Sequence, residues 1–291
     1  MDRMAPSASP MAVQELVDYC IDFLFASPPD LKACALVSRS WTRTSQMHLF
    51  THIVIGSSGY SYGQTTFLAL SRTRCTRLFA VLAASPRLLS CIESLQIHLD
   101  TVPHDILVAI SVFPFVRLQR ITVSGNWVAR AAIGAVRDLL SLETLTAISI
   151  SGNFGSLWEF VQVLECCSPN IRDLAFCSVR IAPFNLLTYS DPSDRRRIEI
   201  DCLDIWWSDG IHDWLNSPQC PFDFTHLKQL RLNENTSLPQ WLAFAPSVPG
   251  VEHLQFQAQI PGPSLIDLTP FTNLKSIEVF VEYRVDVSSA L

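Results

Sequence analysis

A short apolar pattern recurs eight times between residues 92 and 279 of this 291-residue chain. Each copy has an apolar residue, two variable positions, a second apolar residue, one variable position and a third apolar residue. The copies are Ile92/Leu95/Ile97, Leu118/Ile121/Val123, Leu145/Ile148/Ile150, Ile171/Leu174/Phe176, Ile200/Leu203/Ile205, Leu227/Leu230/Leu232, Val251/Leu254/Phe256 and Leu274/Ile277/Val279. Successive copies begin 23 to 29 residues apart. This period predicts stacked units that each contribute one short strand and one return segment, because a single unit cannot bury its own apolar side.

The spacing resembles that of leucine-rich repeats, whose strands form a parallel sheet on the concave face of a curved solenoid. The resemblance implies an α/β fold, here an irregular array over residues 91–291 that serves as a protein-binding surface. Asn126, Asn153 and Asn235 each lie eight residues after the first apolar position of a copy. The family uses an asparagine there to bond the turn backbone, so a structural role is expected for all three.

The return segments between the expected strands show two kinds of sequence. Apolar residues at helical spacing predict helices over residues 105–112, 129–140 and 157–166. The later returns, at residues 238–249 and 261–270, are rich in proline. The array is therefore expected to change from helical to irregular returns toward its C-terminal end.

Polar side chains of mixed charge dominate the face that the pattern turns away from the core. This predicted concave face carries Gln96, His98, Arg120, Thr122, Ser149, Ser151, Asp173, Asp204, Trp206, Gln229, Arg231, Asn233, His253, Gln255, Gln257, Glu278 and Phe280. Such a surface suits a protein or peptide target that forms several hydrogen bonds. We predict target-binding roles for Arg120, Asp204, Trp206, Arg231 and His253. Trp206 is either an anchor for the target or a side chain that packs on neighbouring repeats.

Residues 13–50 do not follow the repeat and predict three short helices. The first, over residues 14–25, carries two apolar stripes, one formed by Leu16, Cys20 and Phe23 and the other by Val17, Ile21 and Leu24. A helix with two apolar stripes needs covering on more than one side. Pro28 and Pro29 are expected to stop it, a second helix follows over residues 31–37, and a third begins after Ser38 or Ser40 and ends near residue 50.

The order of residues in this segment resembles an F-box. The resemblance rests on Glu15-Leu16-Val17-Asp18, Ile21-Asp22-Phe23-Leu24, the run from Asp30 to Trp41, and His48-Leu49-Phe50. The family usually opens with Leu-Pro, where this chain has Ala12-Val13-Gln14. The resemblance implies an F-box-like domain over residues 11–50 that docks on a Skp-type adaptor and, through it, on a cullin scaffold. It implies an adaptor-binding set, in or directly behind the interface, of Leu16, Ile21, Leu24, Leu31, Leu36, Val37 and Trp41. Alternatively, these residues close a helical cap on the first repeat.

Residues 51–90 are expected to join the two parts. His52 to Ile55 predicts a short linker strand, residues 56–63 form a Gly/Ser loop, and residues 65–84 show the apolar spacing of a coupling helix.

Composition excludes several classes of function. Residues 1–90 carry eight basic and five acidic residues, so the net charge of −6 leaves −9 on the rest of the chain. An acidic array argues against nucleic acid as its partner. No apolar run approaches the roughly 20 residues that cross a bilayer, so no membrane partner is expected. The first ten residues lack the apolar centre of a secretory signal, which favours an intracellular location, cytoplasmic or nuclear.

No catalytic or cofactor motif is present. The nine cysteines include no Cys-x-x-Cys pair, so we expect no metal and no cofactor. His98 and His253 have no predictable nucleophile, which argues against an enzyme. The sequence thus favours a substrate receptor of a Skp-cullin-F-box ubiquitin ligase. The alternative is a repeat-based recognition scaffold without ligase association, which the missing Leu-Pro favours. A hydrolase would need a Cys/His/Asp cluster that the sequence does not predict.

Overall fold

Nine parallel strands form one sheet, and their order in the sheet follows their order in the chain. The structure is a computed structural model that describes residues 10–56, 72–127, 130–182, 197–208, 211–217, 219–233, 247–259 and 268–282. The sheet contains β1 (His52–Ile55), β2 (Ser94–His98), β3 (Arg120–Asn126), β4 (Ala147–Phe154), β5 (Asp173–Ile181), β7 (Cys202–Trp206), β9 (Gln229–Asn233), β10 (His253–Gln259) and β11 (Ser276–Glu282). Two short strands, β6 (Ile198–Glu199) and β8 (Phe222–Asp223), pair separately.

The register of the sheet aligns the eight apolar copies with one another. Leu95 pairs with Ile121, which pairs with Ile148, and the same column continues through Leu174, Leu203, Leu230, Leu254 and Ile277. The third apolar residues form a second column in the same way. The prediction of one parallel strand per copy is therefore confirmed. The linker strand β1 is also observed, and it extends the sheet because Ile53 pairs with Leu95.

Helices pack on the apolar side of the sheet in the first part of the array. They are α5 (His104–Ser111), α6 (Arg130–Leu140) and α7 (Leu157–Leu164), followed by the short α8 (Ile211–Leu215). The three predicted return helices are confirmed to within about two residues at each end. The N-terminus of α7 is capped by Ser156, whose hydroxyl accepts a hydrogen bond from the Glu159 backbone N–H at 3.1 Å. The proline-rich returns lie largely outside the described residues.

Aromatic side chains link successive units within the core. Trp127 stacks on Phe154 with ring centroids 4.8 Å apart, and Phe160 contacts both Phe154 and Trp214 at 4.9 and 4.8 Å. The buried Trp127 indole also donates a hydrogen bond to the Ser151 carbonyl at 2.9 Å. The stacking of units is thus fixed by ring geometry as well as by aliphatic burial.

Two glycines permit close approach of the neighbouring strands β3 and β4 near their C-terminal ends. Gly125 and Gly152 are paired in register and have φ values of +126° and +116°. A Cβ atom on Gly152 would lie 1.8 Å from the Gly125 carbonyl oxygen. Only glycine fits there, because a side chain would meet both a left-handed backbone and a direct clash.

Polar side chains other than the expected asparagines bond the backbone of neighbouring turns. The Asp100 carboxylate accepts a hydrogen bond from the Asn126 backbone N–H at 2.9 Å, and the Ser208 hydroxyl accepts one from the Val179 N–H at 3.1 Å. Asp100 and Ser208 occupy the repeat position at which asparagine was expected. The side chains of Asn126 and Asn153 are exposed, and Asn235 lies outside the described residues.

Three helices precede the sheet, as predicted, with shifted boundaries. They are α1 (Pro10–Asp22), α2 (Pro28–Val37) and α3 (Arg39–Thr51). The expectation that Pro28 and Pro29 stop the first helix is wrong: α1 ends at Asp22, and the prolines lie in the first turn of α2. Proline is tolerated there because the first N–H groups of a helix have no intrahelical acceptor.

The third helix connects the helical segment to the sheet. β1 begins at the residue after α3, and Phe50 packs against the core of the array. α3 also contacts a 3-10 helix at Pro86–Cys91 that leads into β2. The expected coupling helix is observed as α4 (Arg72–Ala84), whereas most of the Gly/Ser loop lies outside the described residues. In the part of the chain that the structure describes, no helix has the length and apolar character needed to span a membrane.

Candidate functional site

The two apolar stripes of α1 have different surroundings. Ile21 is fully buried, and Val17 and Leu24 of the same stripe are partly buried. The other stripe faces solvent, because Leu16 and Phe23 are 66% and 68% exposed and Cys20 is also exposed. One stripe is therefore core, and the other is exposed to solvent.

Hydrogen bonds to α3 fix which side of α1 faces outward. The Gln14 side-chain amide donates to the Asp18 carboxylate at 2.8 Å and to the Ser40 carbonyl at 3.2 Å. The Asp22 carboxylate lies 2.7 Å from the His48 ring. These polar residues lie on the side of α1 that faces α3, so residues at the opposite helical positions face solvent.

Exposed apolar residues of α1 and α2, and of the turn between them, form what we call the helical apolar surface. Tyr19 and Phe23 pack edge to face with ring centroids 4.8 Å apart. Leu36 is 88% exposed, although Leu31 and Cys34 of the same helix are buried. The full set is Val13, Leu16, Tyr19, Phe23, Phe25, Leu36 and Val37. Large apolar side chains are usually buried, so seven exposed ones on two short helices and one turn need an explanation.

The seven residues of the predicted adaptor-binding set fall into three groups. Leu16, Leu36 and Val37 are exposed and able to touch a partner directly. Leu24 and Trp41 are half-buried. Ile21 and Leu31 are buried within the helices, so they can only support an interface from behind.

The face of the sheet that points away from the core, which we call the open face, has three columns of side chains in register. The column nearest the strand starts contains Ser94, Arg120, Ala147, Asp173, Cys202, Gln229, His253 and Ser276. The next column contains Gln96, Thr122, Ser149, Ala175, Asp204, Arg231, Gln255 and Glu278. In the third column, Cys177 pairs with Trp206, and Gln257 pairs with Phe280. Small side chains dominate from β3 to β5, and large or charged ones from β7 to β11.

Asp204 and Arg231 form an ion pair across two strands of the open face. The Arg231 guanidinium lies 3.3 Å from one Asp204 oxygen and 3.3 Å from the Gln229 side-chain oxygen. The other Asp204 oxygen is buried and has no hydrogen-bond partner among the described residues. Burial raises the pKa of Asp204 despite the opposing effect of Arg231. This carboxylate therefore retains an unsatisfied acceptor.

A shallow pocket of about 250 Å³ lies beside this ion pair. Its lining residues are Trp206, Arg231, Leu232, Gln255, Gln257 and Phe280. The pocket brings two of the predicted target-binding residues together, Trp206 and Arg231, with Asp204 directly behind Arg231. Gln255, Gln257 and Phe280 belong to the face predicted from the sequence, but we did not predict them as site residues. The pairing of β10 with β11 places Phe280 opposite Gln257, and this pairing is what brings Gln255, Gln257 and Phe280 to the pocket.

The other two predicted target-binding residues lie apart from the pocket. Arg120 is exposed on β3, four strand spacings or about 19 Å from Arg231. His253 is exposed on β10, and its ring lies 2.7 Å from the Ser276 hydroxyl. A target that contacts all five residues must therefore extend across the sheet.

His98 lies beside a serine, but the geometry is that of a structural hydrogen bond. Its Nδ1 is 2.6 Å from the Ser124 hydroxyl, and its Nε2 is 3.1 Å from the Gln96 amide nitrogen. Because that amide nitrogen donates to Nε2, Nδ1 carries the ring proton and donates to Ser124. A general base would have to accept the serine proton instead. Burial also lowers the pKa of His98, although Asp100 raises it.

None of the nine cysteines, all of which the structure describes, forms a disulfide bond. Burial raises the pKa of Cys202 to about 11 and that of Cys220 to about 12, which makes both thiols poor nucleophiles. Within the described ranges, no three His, Cys, Asp or Glu residues are grouped so as to hold a metal ion.

Comparison with known proteins identifies no family for this chain. No protein-family model matches the sequence, and a search of curated proteins found no match.

Proposed function

We propose that this protein is a substrate receptor of a Skp-cullin-F-box ubiquitin ligase. The helices α1 to α3 act as an F-box that binds a Skp-type adaptor, and the sheet and its return segments act as a leucine-rich-repeat array that binds a protein target. Ubiquitin transfer is carried out by the partner subunits. The chain itself is a non-catalytic receptor.

One observation carries this proposal: the helices leave apolar side chains exposed at positions that the F-box resemblance assigns to the adaptor. Leu16, Leu36 and Val37 belong both to the predicted set and to the helical apolar surface. Burial of one such side chain stabilises a complex by about 1.5 to 3 kcal/mol before the costs of association. Three or four of them are enough for a useful affinity.

The array supports the second half of the proposal. Its eight copies lie in register in one parallel sheet, as stacked repeats require. Its open face is polar, with an aromatic pocket at one end, and such a face suits a protein target.

A recognition scaffold without ligase association is the alternative, and one observation favours it. α3 leads directly into β1, and Phe50 packs against the core of the array. The helical segment therefore covers the first end of the sheet, and a cap needs no adaptor. The alternative leaves the exposure of Leu36 without a role.

Complex formation with a purified Skp-type adaptor tests the proposal. We expect a 1:1 complex in size-exclusion chromatography with light scattering. The double variant Leu36→Asp/Val37→Asp should weaken it at least tenfold, because two charges would be buried at the interface. The matched control is Val112→Asp, which changes a residue that is 74% exposed at the end of α5 and should leave the complex intact.

Two outcomes contradict the receptor assignment. If the wild-type protein is well folded but forms no complex with the adaptor, the recognition scaffold becomes the better assignment. Equal loss of binding in the double variant and in Val112→Asp would mean that the helical apolar surface is not the contact. Circular dichroism melting curves verify that the wild type, the double variant and Val112→Asp are all folded.

A further inference from the structure

The open face between β5 and β11, where the pocket lies, carries more negative than positive charge. Asp204 offsets the charge of Arg231, the one cationic side chain that lines the pocket among the described residues. Asp173 and Glu278 have no ion-pair partner within the described part of the chain, and both lie on the open face. An excess of negative charge therefore remains between β5 and β11.

Glu278 is a neighbour of the pocket in the sheet, although it is not one of the residues that line it. Glu278 is paired in register with Gln255, which lines the pocket, and it is two residues from Phe280 on the same face of β11. Trp206 lies at the opposite end of the pocket and is 37% exposed. Aromatic faces attract cations, and a carboxylate beside them adds a partner for the charged head group.

We propose that this pocket binds a lysine or arginine side chain of the target protein. Trp206 and Phe280 contact the aliphatic and cationic parts of the side chain, and Glu278 pairs with its charge. The Gln255 side-chain oxygen can accept one of its N–H groups. The proposal rests on the assignment of target binding to the open face, and it does not depend on adaptor binding.

An acidic or phosphorylated side chain fits the same pocket less well. Two guanidinium nitrogens of Arg231 are engaged by Asp204 and Gln229. Lys228 and Lys275 are held by Asp201 and Glu252 at 2.9 and 2.8 Å. An anion would have to break such contacts and approach Glu278 and Asp173 as well, and like charges repel.

Small amino-acid amides provide the test. We would titrate the full-length protein with N-acetylarginine methylamide and follow the indole N–H signals by NMR, with the Trp206 signal assigned from Trp206→Phe. The matched probes are the citrulline analogue, which has the same shape without the charge, and the phosphoserine analogue. We expect a saturable shift of the Trp206 signal with arginine, binding at least fivefold weaker with citrulline, and no shift with phosphoserine.

Variants test the named residues. Glu278→Gln should weaken arginine binding about fivefold, whereas Trp207→Phe should leave it unchanged. Trp207 is exposed next to Trp206 but does not line the pocket. Any of three results would overturn the proposal: tighter binding of phosphoserine, equal binding of arginine and citrulline, or no shift of the Trp206 signal. The same variants should still form the adaptor complex, so failure of the pocket and failure of adaptor binding are distinguishable.

Discussion

The helical segment and the array differ in how completely their apolar side chains are buried. In the array, the apolar positions of neighbouring units lie in register and form one buried core that extends from Ile53 to Phe271. In the helical segment, Ile21 and Leu31 are buried, but Leu16, Phe23 and Leu36 are exposed. Exposed apolar surface of this kind is costly in water unless a partner covers it. The contrast shows that the array buries its apolar positions over most of its length, whereas the helices leave several of theirs exposed to water.

The difference arises from how many neighbours each element has. An inner strand of the sheet has a strand on both sides and a return segment below, so its apolar residues are covered from every direction. α1 and α2 pack mainly on α3, so each has a free side. The edge strand β11 shows the same effect within the array, because Ile277 and Val279 are 42% and 47% exposed.

The largest expected effect comes from comparing two phenylalanines. Phe160→Ala removes a ring that is fully buried among Phe154, Phe176 and Trp214, and we expect it to lower the free energy of unfolding by about 3 to 5 kcal/mol. Phe23→Ala removes a ring that is 68% exposed and should cost less than about 0.5 kcal/mol. Urea denaturation followed by circular dichroism measures both. If both variants lost the same free energy of unfolding, the contrast between the two regions would be wrong, because Phe23 would then be as well covered as Phe160.

A pair of glycines tests how tightly the array is stacked. Gly152→Ala should lower the free energy of unfolding by about 3 kcal/mol or more, since the new methyl group clashes with the Gly125 carbonyl at a positive φ. The matched control, Gly134→Ala, lies on the exposed side of α6 with no atom within 4 Å of the added methyl group. It should stabilise the protein by about 1 kcal/mol. A neutral Gly152→Ala in thermal melts would show that β3 and β4 can separate.

The smallest expected effect concerns a buried histidine of the array. Burial holds the pKa of folded His98 below its ordinary value of 6.5. Between these two pKa values the unfolded chain binds more protons, so stability falls as pH drops through that window. His98→Gln should reduce the pH dependence of the free energy of unfolding, measured between about pH 5 and 8. His104→Gln, at an exposed position, is the control, and an unchanged slope in His98→Gln would contradict the prediction.

The strands and the first three return helices were predictable from periodicity. An apolar position repeated every 23 to 29 residues must face the same core in every unit, which also determines the register between units. Trp206 was correctly predicted to face away from the core. Trp207 is also exposed, because it follows the end of β7 and its φ of +47° takes it out of the strand alternation, which no pattern of apolar residues indicates.

The binding surfaces were predictable only in part. Two apolar stripes on α1 were evident, but their sequence does not say which one packs on the neighbouring helices. The hydrogen bonds of Gln14 and Asp22 to α3 decide this. Similarly, Phe280 was placed on the correct face, but its position in one pocket with Trp206 depends on three successive strand pairings, from β7 through β9 and β10 to β11.

Periodicity within the chain specifies the repeating unit, the parallel sheet and the faces on which its side chains lie, because these features follow from short-range spacing. Which apolar residues stay exposed to water, and which polar residues surround one pocket, depends on how the folded elements pack against one another. Leu16 and Ile21 are both apolar residues of one helix, yet one is exposed and the other fully buried. Their difference comes from neighbours distant in sequence, and contacts of that kind cannot be derived from local patterns alone.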